Sequence, residues 1–493
     1  MQSVLHYIRK TGQSQTVKNS YWSLADVVLY PVLMTLLTPL YIKYLGVEQY
    51  GIWMLAGNLA LMMNALNMGV GESTIRLVSR NRDTELRDHI SAAVSNNILV
   101  SVALLIMSVS FGAVISFNLS GTNFFNLKAG QADEAGYMIL LLTASVGFRF
   151  IELVLLSVFK GFERFDVAAK LSALSRNGTI IGSIVLLVCG YGFIAILWLT
   201  IMLNVLNIAI QFACVRRFYP FIRFRTNFKQ QPLSAIIQTN GWYWLQFVIG
   251  MTGFLADRFL IAHYTGMGIF GYYSIAAMIG SQLHSILVTF GTFVFPRVSY
   301  LNGQGNSVIP IYYKASSVIQ GLGWFTICTL LITGPFVFRL WLGGETYSAA
   351  QPFIDWYLVY QAVILLAIVP YQFINGTSFV KFNSLFELMM RLLQIPLMIV
   401  FYYAFGPTGI IYALIAGALL IVPAQLFLFG KHVLRIPKNK LLLFAVPLLA
   451  ILPMAFTQNV MVRITCALLT GLLYYKIVWP YFIKQQEPVT API

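Results

Sequence analysis

A short pattern of residues occurs twice in this chain of 493 residues, at a nearly constant offset. Five residues recur 220 positions further on with one aromatic exchange: Leu40, Tyr44, Gly46, Tyr50 and Gly51 match Leu260, Tyr264, Gly266, Phe270 and Gly271. Two more recur 215 positions further on: Gly161 and Arg176 match Gly376 and Arg391. A fixed offset across two halves of an apolar chain predicts a duplicated bundle, an architecture found in membrane transporters.

The composition restricts the fold class to integral membrane proteins. Hydrophobic residues make up 58% of the chain and charged residues only 10%, against about 25% charged in a typical soluble protein. The apolar runs have roughly the 17 to 25 residues that a helix needs to cross a bilayer. Hydropathy predicts an all-α membrane protein with about fourteen transmembrane helices, as two six-helix repeats and a C-terminal helix pair.

The basic residues predict the topology and argue against nucleic acid as a partner. The formal net charge is +16, but the Lys and Arg residues lie in short connections on alternate sides of the apolar runs. This pattern places the basic loops and both termini in the cytoplasm. Because six is an even number, both halves enter the membrane from the same face, and we expect parallel repeats. The expected acidic partners are membrane lipids and a transported anion.

Four segments follow from this reading. We predict a first six-helix lobe over residues 1–215, a basic cytoplasmic linker over 216–238, a second lobe over 239–430 and an additional helix pair with a tail over 431–493. The outer loops are at most about 20 residues long, too short for a soluble catalytic domain. We therefore expect a transporter rather than an enzyme.

Charged residues inside the spans are the best pointers to function, since each is costly in lipid and usually faces a bundle interior or a wet cavity. Arg149 and Glu152 are three positions apart and share one helix face. Arg149 lies twelve residues after Tyr137, about 18 Å along the helix, on the cytoplasmic side of the midplane. Two interpretations stay open: Arg149 is a cavity cation for an anionic head group, or the two residues form a structural ion pair.

Three further charges are candidates. Asp257 and Arg258 lie late in the seventh span, and neighbours on a helix point about 100° apart, so we expect one to line the cavity, with Arg258 favoured. Asp26 lies about 7.5 Å into the first span, where it could carry a proton or be held near the interface by Lys18. Arg176 and Arg391 are interpreted as positive anchors at the cytoplasmic interface.

No cofactor or metal site is predicted. The four cysteines form no CxxC pair, and the five histidines show no ligand spacing. Gly266, Gly268 and Gly271 spell GxGxxG, but the dinucleotide motif needs a preceding strand, and here the run joins two spans as a tight turn.

Two segments carry a resemblance to a known family. Residues 39–53, PLYIKYLGVEQYGIW, resemble the first-loop signature of bacterial polysaccharide flippases. Residues 159–165, FKGFERF, resemble the connection between the fourth and fifth spans of the same family. These proteins are the O-antigen and exopolysaccharide translocases of the multidrug/oligosaccharidyl-lipid/polysaccharide exporter superfamily, and the resemblance covers most of residues 20–430.

The resemblance implies a V-shaped pair of lobes in the bacterial inner membrane. It also implies that an undecaprenyl-diphosphate-linked oligosaccharide crosses from the cytoplasmic to the periplasmic leaflet by alternating access. Polysaccharide polymerase and chain-length regulator proteins would be further partners. The family typically has a cationic central cavity, for which Arg149 and Arg258 are the candidates. The extra helices after Lys440 also occur in peptidoglycan lipid flippases, so lipid II remains an open substrate.

Two rival functions remain. A cation-coupled multidrug antiporter of the same superfamily would need a cavity lined by carboxylates and aromatics, with Asp26 or Asp257 essential and both arginines dispensable. A membrane polysaccharide polymerase or ligase would need catalytic groups on a long outer loop, which the spans and loops of this chain do not provide.

Overall fold

The computed structural model describes most of the chain as helix. The described residues are 15–67, 70–81, 87–121, 125, 127, 130–223, 233–292, 308–375, 380–429 and 445–480. Outside this set are the side chains of residues 15–34, 65–67, 72, 81, 120–121, 233–247, 290–292, 375 and 380–381. The α-helices are α1 Gln15–Leu61, α2 Val70–Asn81, α3 Arg87–Gly121, α4 Gln131–Gly161, α5 Phe165–Val188, α6 Phe193–Phe218, α7 Leu233–Tyr264, α8 Met267–Thr292, α9 Ile309–Leu342, α10 Gly344–Asn375, α11 Val380–Phe405, α12 Gly409–Phe429, α13 Leu448–Ile451 and α14 Val460–Leu473. Within this part of the chain all regular structure is helical, which confirms the predicted all-α fold.

Eight segments of the described chain are long and apolar enough to cross a membrane. They are Arg87–Leu119, Gln131–Gly161, Phe165–Val188, Phe193–Phe218, Ile309–Leu342, Gly344–Ile374, Phe382–Phe429 and Val460–Val478. The seventh of these contains two helices, α11 and α12, joined by a short 3-10 turn at Gly406–Thr408. The count of fourteen spans stays a prediction.

The repeated pattern marks the same helix break in both halves. Helix α1 is interrupted at Gly46, whose φ of 84° is in the left-handed region that favours glycine. The matching Gly266 lies in the two-residue connection between α7 and α8. The aromatic pair of the repeat, Tyr50 and Phe270, is buried in both copies. The duplicated residues therefore fix a helix joint and its packing, rather than a binding site.

The chain divides into two compact units, residues 1–251 and 252–493. The predicted linker at 216–238 lies near this division, but residues 224–232 are outside the described part of the chain, and the four-segment organisation stays a prediction.

In the first unit, glycines bring α2, α3 and α4 close together, as small residues do between membrane helices. A Cβ at Gly147 would lie 3.0 Å from the Cα of Leu105 on α3. A Cβ at Gly161, the last residue of α4, would lie 2.6 Å from the Cβ of Val78 on α2. Next to Gly161, Phe162 stacks on Tyr219 with ring centroids 4.2 Å apart. The FKGFERF segment is therefore a packing junction.

Replacing Gly161 by alanine should destabilise the first unit by about 1 to 3 kcal/mol, the usual cost of overpacking. Helix propensity alone favours alanine, so a lower melting temperature of the purified protein would identify the clash. Gly471→Ala is the matched control, because no atom lies within 4 Å of a Cβ there. Equal melting temperatures for Gly161→Ala and Gly471→Ala would contradict the packing role.

In the second unit, the last helix is attached through a buried cation. Arg463 of α14 is fully buried and donates to Asp355 of α10, with Nη2 and Oδ2 2.5 Å apart. It also donates to the backbone carbonyl of Leu331 on α9. That carbonyl would normally bond the N–H four residues later, where Pro335 has none. Arg463 thus satisfies an acceptor that the proline leaves free and joins α14 to α9 and α10.

Candidate functional site

A polar cavity of about 410 Å³ lies inside the first unit, between α1, α4, α5 and α6. This volume is in the range of about 300 to 1,000 Å³ that is typical of small-molecule sites. All of its lining residues fall between Tyr41 and Asn204. The cavity is therefore built by one unit alone.

One wall is a stripe of hydroxyls on α5. The stripe follows helical spacing and consists of Ser172, Ser175, Thr179 and Ser183, with Arg176 beside it. The hydroxyl of Thr179 donates to the carbonyl of Ser175 at 3.0 Å, and that of Ser183 donates to the carbonyl of Thr179 at 2.6 Å. With the hydroxyl protons used within the helix, the oxygens remain available as acceptors.

The charged residues of the lining are Arg149, Lys160, Arg176 and Glu152. Among the described lining residues, three cations and one carboxylate give a formal charge of +2. Arg149 is exposed to the cavity and forms no hydrogen bond or ion pair with the described part of the chain. Both Arg149 and Arg176 act electrostatically on Glu152, so the three groups are close neighbours.

Glu152 is held by amides of α6 instead of by Arg149. Its Oε1 accepts from Asn207 Nδ2 at 2.8 Å and from Gln211 Nε2 at 3.3 Å. Among the described residues no ion pair within 4.0 Å joins it to Arg149. This geometry agrees with the interpretation of Arg149 as a cavity cation. Glu152 has Asn207 and Gln211 as partners in place of an ion pair with Arg149.

A hydrogen-bonded network ties the walls together in the middle of the cavity. Asn204 of α6 donates from Nδ2 to Ser145 Oγ of α4 at 2.9 Å. Ser175 of α5 donates from Oγ to Asn204 Oδ1 at 3.3 Å. Since all three side chains line the cavity, this network fixes the spacing of α4, α5 and α6 there.

Aromatic side chains form the end of the cavity next to the α5–α6 connection. Tyr41 and Trp53 belong to the lining, while Phe193 is buried outside it. Trp53 stacks on Phe193 with centroids 4.5 Å apart and an interplanar angle of 13°. The Tyr41 ring lies 5.4 Å from that of Phe193. Phe193 therefore holds both lining aromatics in place.

Asp257 and Arg258 are in the second unit, outside this cavity, and contact each other. Arg258 Nη1 lies 3.3 Å from Asp257 Oδ1, and both side chains are buried. Asp257 also accepts from the hydroxyls of Tyr273 and Tyr357. Although adjacent helix positions point about 100° apart, the long Arg258 side chain reaches Asp257 and also donates to the carbonyl of Phe254, one turn earlier. A transport role for this pair stays a prediction.

The repeated arginines Arg176 and Arg391 have different surroundings. Arg176 lines the cavity of the first unit. Arg391 packs on Gly253 and donates to Gln394 Oε1 at 2.8 Å. Glu387, one turn before Arg391, has a buried oxygen with no hydrogen-bond partner among the described residues. The reading of both arginines as interface anchors therefore overlooked Arg176 as a cavity residue.

Asp26 lies within α1, but its side chain is outside the described residues, and its predicted proton-carrying role stays a prediction.

Several cavity residues escaped the sequence analysis because they are uncharged. The signal was present in their spacing. The α5 hydroxyls recur every three or four residues, and the buried amides of α6, Asn204, Asn207 and Gln211, lie at i, i+3 and i+7. Polar residues at helical spacing inside an apolar span indicate one polar face.

Comparisons with known proteins place the chain in a family. The family model described as Polysaccharide biosynthesis protein matches residues 16–302, more than half of the chain. A protein of Shigella flexneri, provisionally named an O-antigen transporter, is 20% identical over 422 residues, which cover 84% of this chain and 96% of that protein.

Solved structures with a similar fold include a lipid flippase and a multidrug transporter. Lipid II flippase MurJ in an inward closed conformation has a TM-score of 0.65 at 17% identity, covering 96% of this chain and 100% of that one. An inward-facing multidrug resistance MATE family transporter of the MOP superfamily has a TM-score of 0.61 at 14% identity, covering 87% and 96%. These identities show the fold alone. The resemblance carried by the two sequence motifs is thus confirmed, and the chain belongs to the Polysaccharide biosynthesis protein family.

Proposed function

We propose that this protein moves an undecaprenyl-diphosphate-linked oligosaccharide from the cytoplasmic to the periplasmic leaflet of the bacterial inner membrane. It does so by alternating access, in the synthesis of a cell-surface polysaccharide. Membrane lipids surround the cargo, and a polysaccharide polymerase with its chain-length regulator receives it. A diphosphate with several sugars cannot cross about 30 Å of hydrocarbon unaided, so a protein must provide a hydrated, charge-compensated path.

The observation that carries this proposal is the charge of the cavity. Three cations and one carboxylate line it, and Arg149 is exposed there without a protein partner among the described residues. A cation within a membrane domain is costly unless it meets an anion or water. A planar guanidinium binds phosphate oxygens in bidentate geometry. Arg149 and Arg176 are the proposed ligands of the diphosphate, with Lys160 at the α4–α5 end.

Glu152 has a proposed role in release. Transport needs binding that is weak enough for the cargo to leave, and a carboxylate close to two arginines lowers their attraction for a diphosphate. Asp257 and Arg258 of the second unit, and Asp26 of α1, are also proposed to contribute to transport.

The cavity chemistry favours this function over a cation-coupled antiporter, because an antiporter for cationic drugs needs carboxylates where this cavity has arginines. Lipid II shares the undecaprenyl diphosphate and differs in the sugar and peptide that it carries. The same cations would bind it, so the experiment below separates the two cargoes.

The test is the fate of lipid-linked sugar after deletion of the gene in its own host. We expect surface polysaccharide to disappear and the undecaprenyl-diphosphate-linked repeat unit to accumulate in the cytoplasmic leaflet, where an impermeant glycosidase or periodate added to intact spheroplasts leaves it uncleaved. Accumulation in the outer leaflet would instead identify a polymerase. Arrested peptidoglycan synthesis with intact surface polysaccharide would identify a lipid II flippase, and unchanged levels of both would contradict the proposal.

A further inference from the structure

The chemistry of the cavity changes from one end to the other. Cations occupy the part of the cavity that extends from the α4–α5 connection to about the middle of α4. Lys160 is one residue before Gly161, the last residue of α4, and Arg149 is about 18 Å from Gly161 by helical rise. Hydroxyls follow on α5 and α6, and Tyr41 and Trp53 lie at the α5–α6 end. An anion alone would use only the first of these regions.

The hydroxyl region is suited to a polyol. Thr179 and Thr200, both partly exposed, each donate their proton to a carbonyl one turn earlier in their own helix. Their oxygens are therefore oriented acceptors that line the cavity. A sugar offers several O–H donors around one ring, and acceptors on two facing helices can bind them together.

Trp53 supplies the complementary apolar surface. Its indole is half-buried and belongs to the lining, and the buried Phe193 stacks against it. The C–H face of a sugar ring packs on an aromatic plane while its hydroxyls point sideways. A side chain already fixed by a neighbour loses little entropy when it binds.

The geometry points to a saccharide subsite formed by Trp53, Thr179 and Thr200, which holds the first sugar of the cargo while its diphosphate contacts Arg149 and Arg176. This inference rests on the proposed function and adds to it the orientation of the cargo. The distance from Arg176 to Ser183 is seven residues of α5, about 10 Å of helix. The cavity thus accommodates the diphosphate and the adjoining sugar, with the sugar toward the α5–α6 connection.

Two lipids that differ only in the sugar test the subsite. Equilibrium binding to the purified full-length protein is measured for undecaprenyl diphosphate and for undecaprenyl-diphosphate N-acetylglucosamine. Trp53→Leu should weaken binding of the sugar-bearing lipid by about three- to tenfold, the loss of one aromatic stacking contact, and leave the sugar-free lipid within about twofold. Trp53→Phe is the matched control and should retain most of the affinity.

The remaining outcomes are decisive in separate ways. Equal affinity of the wild-type protein for both lipids, or an equal loss for both in Trp53→Leu, would overturn the subsite and leave the diphosphate site intact. Failure of the wild-type protein to bind either lipid would instead overturn the proposed function. If Trp53→Leu does not fold, Thr179→Val replaces it, with the same selective loss expected because valine keeps the shape and removes the acceptor.

Discussion

Cells that carry Arg149→Gln together with Arg176→Gln should lose surface polysaccharide while the protein stays folded in the membrane. These arginines lie at similar depth on facing helices and share a cavity that contains one carboxylate. Removing both changes its formal charge from +2 to 0. A hydrogen bond to a charged group is worth about 1.5 to 3 kcal/mol, so each substitution should weaken binding of undecaprenyl diphosphate by roughly 10- to 100-fold.

The controls separate charge from position. Arg217→Gln removes an exposed arginine at the end of α6 that does not line the cavity, and it should leave transport unchanged. Arg149→Lys keeps the charge but loses the bidentate fork, so its loss should be intermediate. The measurements are surface polysaccharide per cell, protein abundance by immunoblot and binding of the purified protein to undecaprenyl diphosphate.

The outcome that favours the rival is equally specific. Wild-type polysaccharide levels in the double arginine variant, at equal protein abundance, would remove the cationic site from the mechanism. If Glu152→Gln then abolished transport of a cationic dye, the same cavity would belong to a cation-coupled antiporter. In the proposed flippase, Glu152→Gln should bind undecaprenyl diphosphate more tightly, because a neighbouring negative charge has been removed.

The sequence predicted the fold class well because lipid makes severe demands on every residue of a span. Long apolar runs can only be helices, and duplicated glycines such as Gly46 and Gly266 mark where the helices break. The number of spans is harder to derive, because runs such as α11 and α12 form one continuous apolar segment with a short turn inside it.

The site was only partly predictable, since a membrane charge is conspicuous in sequence but its surroundings are not. Arg149 and Glu152 were identified as candidates because a charged side chain inside a span is costly in lipid and because their spacing puts them on one helix face. Both line the cavity. The same argument applied to Asp257 and Arg258, yet those residues contact each other in a buried network. Whether a charge meets a cavity or a partner depends on side-chain packing across helices, which spacing along one helix does not encode.

The two copies of the repeated arginine show how duplication diverges. Arg176 has small neighbours on its helix, Ser172 and Ser175, and opens onto a cavity. Arg391 has Glu387 one turn before it and lies against Gly253, where a Cβ would be 1.7 Å from its Nε. The same residue at the same repeat position thus lines a cavity in one unit and packs against a glycine of a neighbouring helix in the other.

Breaking the buried pair of Arg463 and Asp355 should destabilise the second unit by about 3 to 5 kcal/mol, the cost of leaving one charge buried alone. Asp355→Leu and Arg463→Met are the single variants, and thermal unfolding of the purified protein is the measurement. Lys476→Met is the matched control, because it removes an exposed cation from the same terminal segment. A loss in either single variant no larger than in Lys476→Met would contradict the anchoring role.

The proline of α9 makes this anchor testable at atomic detail. In Asp355→Leu/Arg463→Met both charges are gone, so part of the stability should return, but the Leu331 carbonyl has lost its donor. Pro335→Ala restores an N–H that can bond that carbonyl within the helix. Arg463→Met should therefore cost about 1 to 3 kcal/mol less in the Pro335→Ala background, the penalty of one unsatisfied buried acceptor. If Arg463→Met costs the same in both backgrounds, the hydrogen bond from Arg463 to the Leu331 carbonyl does not stabilise α14. In that case the N–H restored by Pro335→Ala has no lost hydrogen bond to replace.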